Sequence, residues 1–205
     1  MNRNVILREL KKSDFEDIEN IIRTTWNYYD YITTDIAKKL AKVYLATCLV
    51  EHTYAIVAEI DNRPVGLILG KIKKHWSVTY RIYQIKALIP LIFAKEGRKA
   101  VKFYREIDNI NKTLLKRRNK NYVGEVILFL VERKYRGVGI GKQLWQNLLS
   151  YFKDQRVENF YLYTDTSCNY KFYEYQGMVL QEKHKQYIMF KEEQEEEFYL
   201  YDMNL

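Results

Sequence analysis

Apolar residues along the chain change their spacing several times, and each change marks an element. Val5-Ile-Leu-Arg-Glu opens as a strand. From Asp14 through Thr24 the apolar residues Phe15, Ile18, Ile21 and Ile22 fall on a helical stripe. Ser13 is a suitable N-cap, with Glu16 three residues on to complete a capping box. A second helix is predicted over about Thr34 to Val50, burying Ile36, Leu40, Tyr44 and Leu49. Tyr54–Glu59 and Val65–Gly70 read as two strands joined by a turn at Asp61-Asn-Arg-Pro64. Val126–Val131 is a buried strand, and Leu144, Trp145, Leu148, Leu149 and Phe152 recur as the inner stripe of a helix. Phe160–Thr164, about Val179–Phe190 and Phe198–Met203 complete the strands.

The stretch between the hairpin and Val126 is too long for a plain loop in a compact domain. Ala100, Phe103, Tyr104, Ile107, Ile110 or Asn111, and Leu114 recur at helical spacing, and Tyr80 through Phe93 is apolar with few charges. This reads as a helical insertion of two or three helices over about residues 75–120, within a single domain spanning 1–205. Its role as gate, acceptor-binding element or dimer contact is open at this level.

The local chemistry concentrates between Val131 and Leu144. A strand leads through a charged turn into Arg136-Gly-Val-Gly139-Ile-Gly141-Lys142 and then a helix. Such a junction leaves backbone N–H groups unpaired at the positive end of a helix dipole, where a diphosphate is held well. The Walker loop does not fit, because Arg136 stands where its first glycine belongs and Gln143 follows Lys142. The dinucleotide fingerprint also fails for want of a third glycine. What remains, Arg-x-x-Gly-x-Gly at Arg136–Gly141, resembles the acyl-CoA pyrophosphate loop of the GNAT superfamily of N-acetyltransferases. Downstream, Asn169-Tyr-Lys-Phe172-Tyr173-Glu-Tyr-Gln-Gly177-Met178 resembles that superfamily's short helix ending in Phe-Tyr-x-x-x-Gly-Phe, with Gly177 suited to a helix C-cap.

The resemblance implies an α/β (α+β) fold: a central mixed, mostly antiparallel sheet splayed at the cofactor strands and flanked by helices. It implies acetyl-CoA as acyl donor, with no metal, and an amine acceptor that is a small molecule or a peptide. The pantetheine arm would pair with Phe129, Leu130 and Val131, and a backbone N–H near Phe129 or Leu130 would face the developing oxyanion. The phosphates would lie on Arg136, Gly137, Val138, Gly139, Ile140, Gly141 and Lys142, with Asn169 and Phe172 also in contact. Tyr173 would protonate the leaving thiolate. Glu125 is the candidate base, because some members of the superfamily place a glutamate in a similar location; Glu132 and Asp165 are weaker candidates. The chain departs from the usual pattern at Arg133, Thr166, Asn169 and Met178, which puts in doubt the transfer of cofactor contacts to positions 166 and 169.

Composition narrows the remaining classes. The net charge is +8, yet Lys71 to Lys120 holds fifteen Lys or Arg against three Asp or Glu, a local +12 that leaves −4 elsewhere. Glu192 to Glu197 is acidic. A basic face favours anions, so an acceptor bearing a carboxylate or phosphate fits better than a polyamine. Nothing in the segment resembles a nucleic-acid module, and the Lys116–Lys120 cluster reads as a solvated face. No apolar run reaches the length of a membrane span and no leader of signal type opens the sequence, so no membrane partner is expected. Cys48 and Cys168 form neither a metal spacing nor a disulfide framework, which points to the reducing cytoplasm. His52, His75 and His184 are scattered and read as surface residues. The competing function is a non-catalytic acyl-CoA sensor or interaction module that uses the insertion to contact a partner; whether the chain forms a homodimer is a separate question that the sequence leaves open.

Overall fold

The computed structural model describes residues 4–72, 77–189 and 193–205. His75, the end of the predicted strand at Phe190, and Glu192 lie outside them. The described residues form one seven-stranded sheet in the order β1-β2-β3-β4-β5-β7-β6. Its strands are β1 (Ile6–Glu9), β2 (Tyr54–Ile60), β3 (Arg63–Ile72), β4 (Gly124–Val131), β5 (Asn159–Asp165), β6 (Val179–Met189) and β7 (Glu193–Asn204). The helices are α1 (Phe15–Thr25), α2 (Tyr28–Tyr31), α3 (Thr34–Glu51), α4 (Val78–Phe93), α5 (Lys95–Arg118), α6 (Ile140–Asp154) and α7 (Lys171–Tyr175).

All neighbouring strands are antiparallel except β4 and β5. That parallel pair holds for only three positions, Gly124 with Phe160, Glu125 with Tyr161 and Val126 with Leu162. Beyond Val126 the two strands part, as the splayed sheet of the sequence reading requires. The β2–β3 turn is explained by Asp61 and Asn62, both at positive φ (51° and 59°), the backbone of a two-residue type I′ hairpin.

Two layers cover the sheet. On one face Ile18, Ile22, Leu40, Leu45 and Leu49 of α1 and α3 pack on Val57, Leu67, Leu69, Leu128 and Leu130, with Leu91 and Ala100 added by α4 and α5. On the other face α6 lays Ile140, Leu144, Trp145, Leu148 and Phe152 against Ile68, Val126, Phe160 and Leu162. The β3–β4 register slips at Ile127, so Leu69 opposes Leu128 while Gly70 opposes Val126. This bulge breaks the alternation: Val126 and Phe129 both join the α6 layer, whereas Leu128 and Leu130 join the α1–α3 layer.

The N-cap reading of α1 needs correction. A short 3₁₀ turn at Lys12–Asp14 precedes the helix, and Asp14, not Ser13, holds the turn. The Asp14 carboxylate accepts from the Lys11 N–H at 2.8 Å and from the two terminal Arg8 nitrogens at 2.7 and 2.9 Å. Arg8 in turn reaches Glu59 on β2. Ser13 is exposed, while Asp14 is 4% exposed and already bound to a cation from β1, which decides between two cap-competent residues. The described residues between β3 and β4 form two helices, α4 and α5. Its α5 stripe buries Ala100, Ile110 and Leu114 as its spacing predicts. The four-residue α2 has no counterpart in the sequence reading.

Candidate active site

The parting of β4 from β5 leaves backbone groups of β4 without a strand partner. The Glu132 N–H donates to the Val65 carbonyl at 2.8 Å. Because the ladder alternates, Leu130 also turns its amide toward β3, and Phe129 and Val131 turn theirs into the gap. The Val131 carbonyl accepts from Arg136 Nε at 2.9 Å, which folds the loop back over the end of the strand.

The loop continues through Gly137 and Gly139, both at positive φ (82° and 88°). Among the described residues no side chain caps α6, and its first turn closes with the Gln143 N–H on the Gly139 carbonyl at 3.1 Å. The N–H groups of Ile140, Gly141 and Lys142 therefore have no partner within the helix. The side chains of Arg133, Arg136 and Lys142 are exposed around this corner. Open amides, a helix dipole and several cations make it a site for phosphates.

The two glycines differ in their demands. At Gly139 an added methyl would meet nothing within 4 Å, so only the backbone conformation requires glycine there. At Gly141 it would make ordinary contacts with Phe129 (3.5 Å) and Phe172 (3.7 Å) in an unstrained backbone. Gly139→Ala should thus cost about 1–2 kcal/mol of stability. Gly141→Ala should leave the melting temperature unchanged while weakening CoA about tenfold, roughly 1.4 kcal/mol. Thermal melts and CoA titration of the two variants check this separation.

Tyr173 stands on α7, one residue after Phe172. Its ring lies 6.4 Å from Phe129, 5.8 Å from Trp145 and 6.4 Å from Tyr201. Gly177, at φ 88°, ends the segment, and Met178 N–H returns to the Tyr173 carbonyl at 3.0 Å. The structure thus brings Phe129, Gly141, Phe172 and Tyr173 together at the gap. Burial raises the Tyr173 phenol above its ordinary value, and Cys168 and Asp165 add to it. Its hydroxyl has no hydrogen-bond partner among the described residues. Beside it, Trp145 is fully buried with its indole N–H unpartnered. Asn169 is exposed, and its carbonyl accepts from the Phe172 N–H at 3.1 Å, tying the turn to α7.

Glu125 lies on the opposite face of the sheet, at the closed end of the gap. Its Oε2 accepts from the Tyr161 hydroxyl at 2.9 Å and pairs with Lys71 at 2.7 Å. Burial opposes the charge on Lys71, but Glu125 and Glu51 outweigh it and raise the ammonium above its usual value. Glu132 pairs with Lys134 at 3.0 Å, while Asp165 accepts from the Ser167 N–H at 2.9 Å and so braces the turn after β5.

A cluster that sequence reasoning did not single out covers the α3–α5 side of the gap. Tyr44 packs on Trp26 (5.4 Å) and on Tyr104 of α5 (5.5 Å), and the Tyr104 and Tyr28 hydroxyls share a hydrogen bond. Burial raises all three phenols, with Cys48 among the further causes, so they present neutral hydroxyls. Asp165 and Cys168 are close enough to act on Tyr44. Helical spacing turns Tyr44 and Tyr104 inward, but among nineteen tyrosines nothing in the sequence shows that they meet each other and Tyr28. A separate open cleft of about 490 Å³ lies between α1, α3 and α4, lined by Lys12, Glu16, Glu19, Arg23, Lys42 and Tyr83 among others, and has no part in this site.

Residues 15–178 match the family described as "Acetyltransferase (GNAT) family". The chain belongs to the GNAT acetyltransferases. No curated protein matches its sequence. Solved structures show the GNAT fold across its length. An N-acetyltransferase from Staphylococcus aureus Mu50 is 17% identical with a TM-score of 0.57, covering 98% of both chains. PH1933 from Pyrococcus horikoshii OT3 is 15% identical with a TM-score of 0.63, covering 98% of this chain and 99% of that one. The yncA protein from Salmonella typhimurium, solved with its cofactor acetyl-CoA, is 13% identical with a TM-score of 0.58, covering 98% and 94%. Among the described residues no group of three or more His, Cys, Asp or Glu could hold a metal ion. No described helix is long and apolar enough to cross a membrane.

Proposed function

We propose that this GNAT protein transfers an acetyl group from acetyl-CoA to a primary amine by direct attack. The observation that carries the reading is the junction of the β4–β5 gap with the uncapped start of α6, where free amides of one strand and one helix converge. Phosphates would lie on the amides of Gly139 to Lys142, with Arg136 and Lys142 beside them. The pantetheine arm would continue the ladder along Phe129 and Val131, which face the gap; Leu130 contributes through its buried side chain instead. The Phe129 N–H is then the donor for the developing oxyanion, a contact of the kind whose loss costs about 3 kcal/mol.

Tyr173 is the acid in this scheme. Attack by the amine breaks the C–S bond, and the phenol gives its proton to the departing sulfur. Raised above 10 by burial, the phenol stays protonated through neutral pH and is a competent donor. Glu125 takes the amine proton through one water on Oε1, the oxygen that neither Lys71 nor Tyr161 occupies. The aromatic wall of Trp26, Tyr44 and Tyr104 lies on the acceptor's side and suits an amine carried on an apolar body.

Thiol release from acetyl-CoA across a panel of small amines and peptides tests the proposal. Amine-dependent release above the hydrolytic background supports it; CoA binding without release for any amine would leave the alternative, an acyl-CoA sensor.

A further inference from the structure

Helix α4 carries an apolar face that the fold does not use. Its inner side packs on α3 and α1 through Tyr80, Tyr83, Ala87 and Leu91. Its outer side presents Val78, Ile82, Ile85, Ile89, Ile92 and Phe93, exposed by 74, 50, 49, 48, 47 and 82%. The first five follow a 4-3-4-3 spacing and so form one straight stripe, and Phe93 adjoins its C-terminal end. A stripe of this size on a water-facing helix marks a contact surface.

The charges around it identify the occupant. Between Val78 and Lys99 there are five cations, Arg81, Lys86, Lys95, Arg98 and Lys99, against the single acid Glu96. Arg81 and Lys86 flank the stripe on its two sides. Arg98 donates to the Ile92 and Phe93 carbonyls at 3.1 and 3.4 Å, which sets its charge beside the exposed phenyl ring. A second copy fits poorly, because its own Lys86 and Arg81 would meet these. One sixteen-residue helix face against its copy would also bury only on the order of 1,000 Å², the floor for a specific dimer. An apolar stripe rimmed by cations on an otherwise soluble helix is instead the pattern that lies in the boundary layer of an anionic bilayer.

We propose that α4 docks the protein onto an anionic lipid surface, with the isoleucine stripe and Phe93 entering the headgroup layer and the basic rim meeting lipid phosphates. This docking needs no spanning helix, since α4 lies on the membrane and does not cross it.

The test is co-sedimentation of the 205-residue protein with phosphatidylcholine vesicles, plain or containing one third phosphatidylserine. Binding should be at least about tenfold stronger with phosphatidylserine, and should weaken as salt is raised. Lys86→Glu should reduce it by about fivefold or more per charge removed. Ile85→Ser combined with Ile89→Ser should abolish it while the thermal melt and CoA binding stay as in the parent, because both side chains already face water. Three results would overturn the proposal: no binding to phosphatidylserine vesicles, equal binding by the double variant, or a dimer in sedimentation equilibrium that the double variant converts to monomer. The last would assign the stripe to a second copy.

Discussion

Tyr173→Phe should lower kcat by about 10² to 10³ while leaving the affinity for CoA within about twofold. The substitution removes only the hydroxyl, and the ring contacts with Phe129, Trp145 and Tyr201 persist. The melting temperature should therefore hold, since the hydroxyl has no hydrogen bond among the described residues to lose. The pH profile supplies a second readout. The protonated phenol is the active form, and its raised pKa moves loss of that form to above pH 10. The parent should accordingly show no alkaline decline from Tyr173 between pH 7 and its ordinary value near 10. A variant as fast as the parent would reduce Tyr173 to a packing residue.

Asp14→Ala should cost about 3 kcal/mol of stability, because it leaves the Arg8 guanidinium paired only with Glu59 of β2 and deprives the Lys11 N–H of its acceptor. Burial alone would raise the Asp14 carboxyl, but the bonds from Arg8 and Lys11 more than offset it and lower the native value below 3.8. A depressed native pKa contributes stability that is complete above the unfolded value and disappears as pH falls through the native one. Urea titrations of the parent from pH 6 downward should show this loss beginning near pH 4, and the Asp14→Ala protein should lack that part of the slope. Equal stability of the two proteins at pH 7 would show that the Arg8–Asp14–Glu59 cluster contributes nothing net.

Much of the site was legible in the letters because its chemistry is local. Gly137 and Gly139 are fixed by positive φ within a strand, loop and helix that follow one another without a break, and Gly177, also at positive φ, closes the short α7 segment. The gap itself was legible only through family resemblance. It depends on β4 and β5 pairing over three positions and then parting, which is a relation between strands distant in sequence. The Ile127 bulge is equally silent, yet it decides that Phe129 faces α6. The environment of Glu125 could not be read either, since Lys71 and Tyr161 come from other strands. In α4 the helical period was masked because both faces are apolar: Tyr80, Tyr83 and Leu91 look inward while the isoleucines look outward. Tyr28, Tyr44 and Tyr104 meet from three helices, and no spacing rule links them.

Amide chemical shifts of the ¹⁵N-labelled protein titrated with CoA address the binding corner most directly. The largest changes should fall on Gly139, Ile140, Gly141 and Lys142 together with Phe129 and Val131, saturating at one equivalent. Should CoA bind while those six amides stay where they were, the phosphates and pantetheine lie elsewhere and the assignment of this corner is wrong.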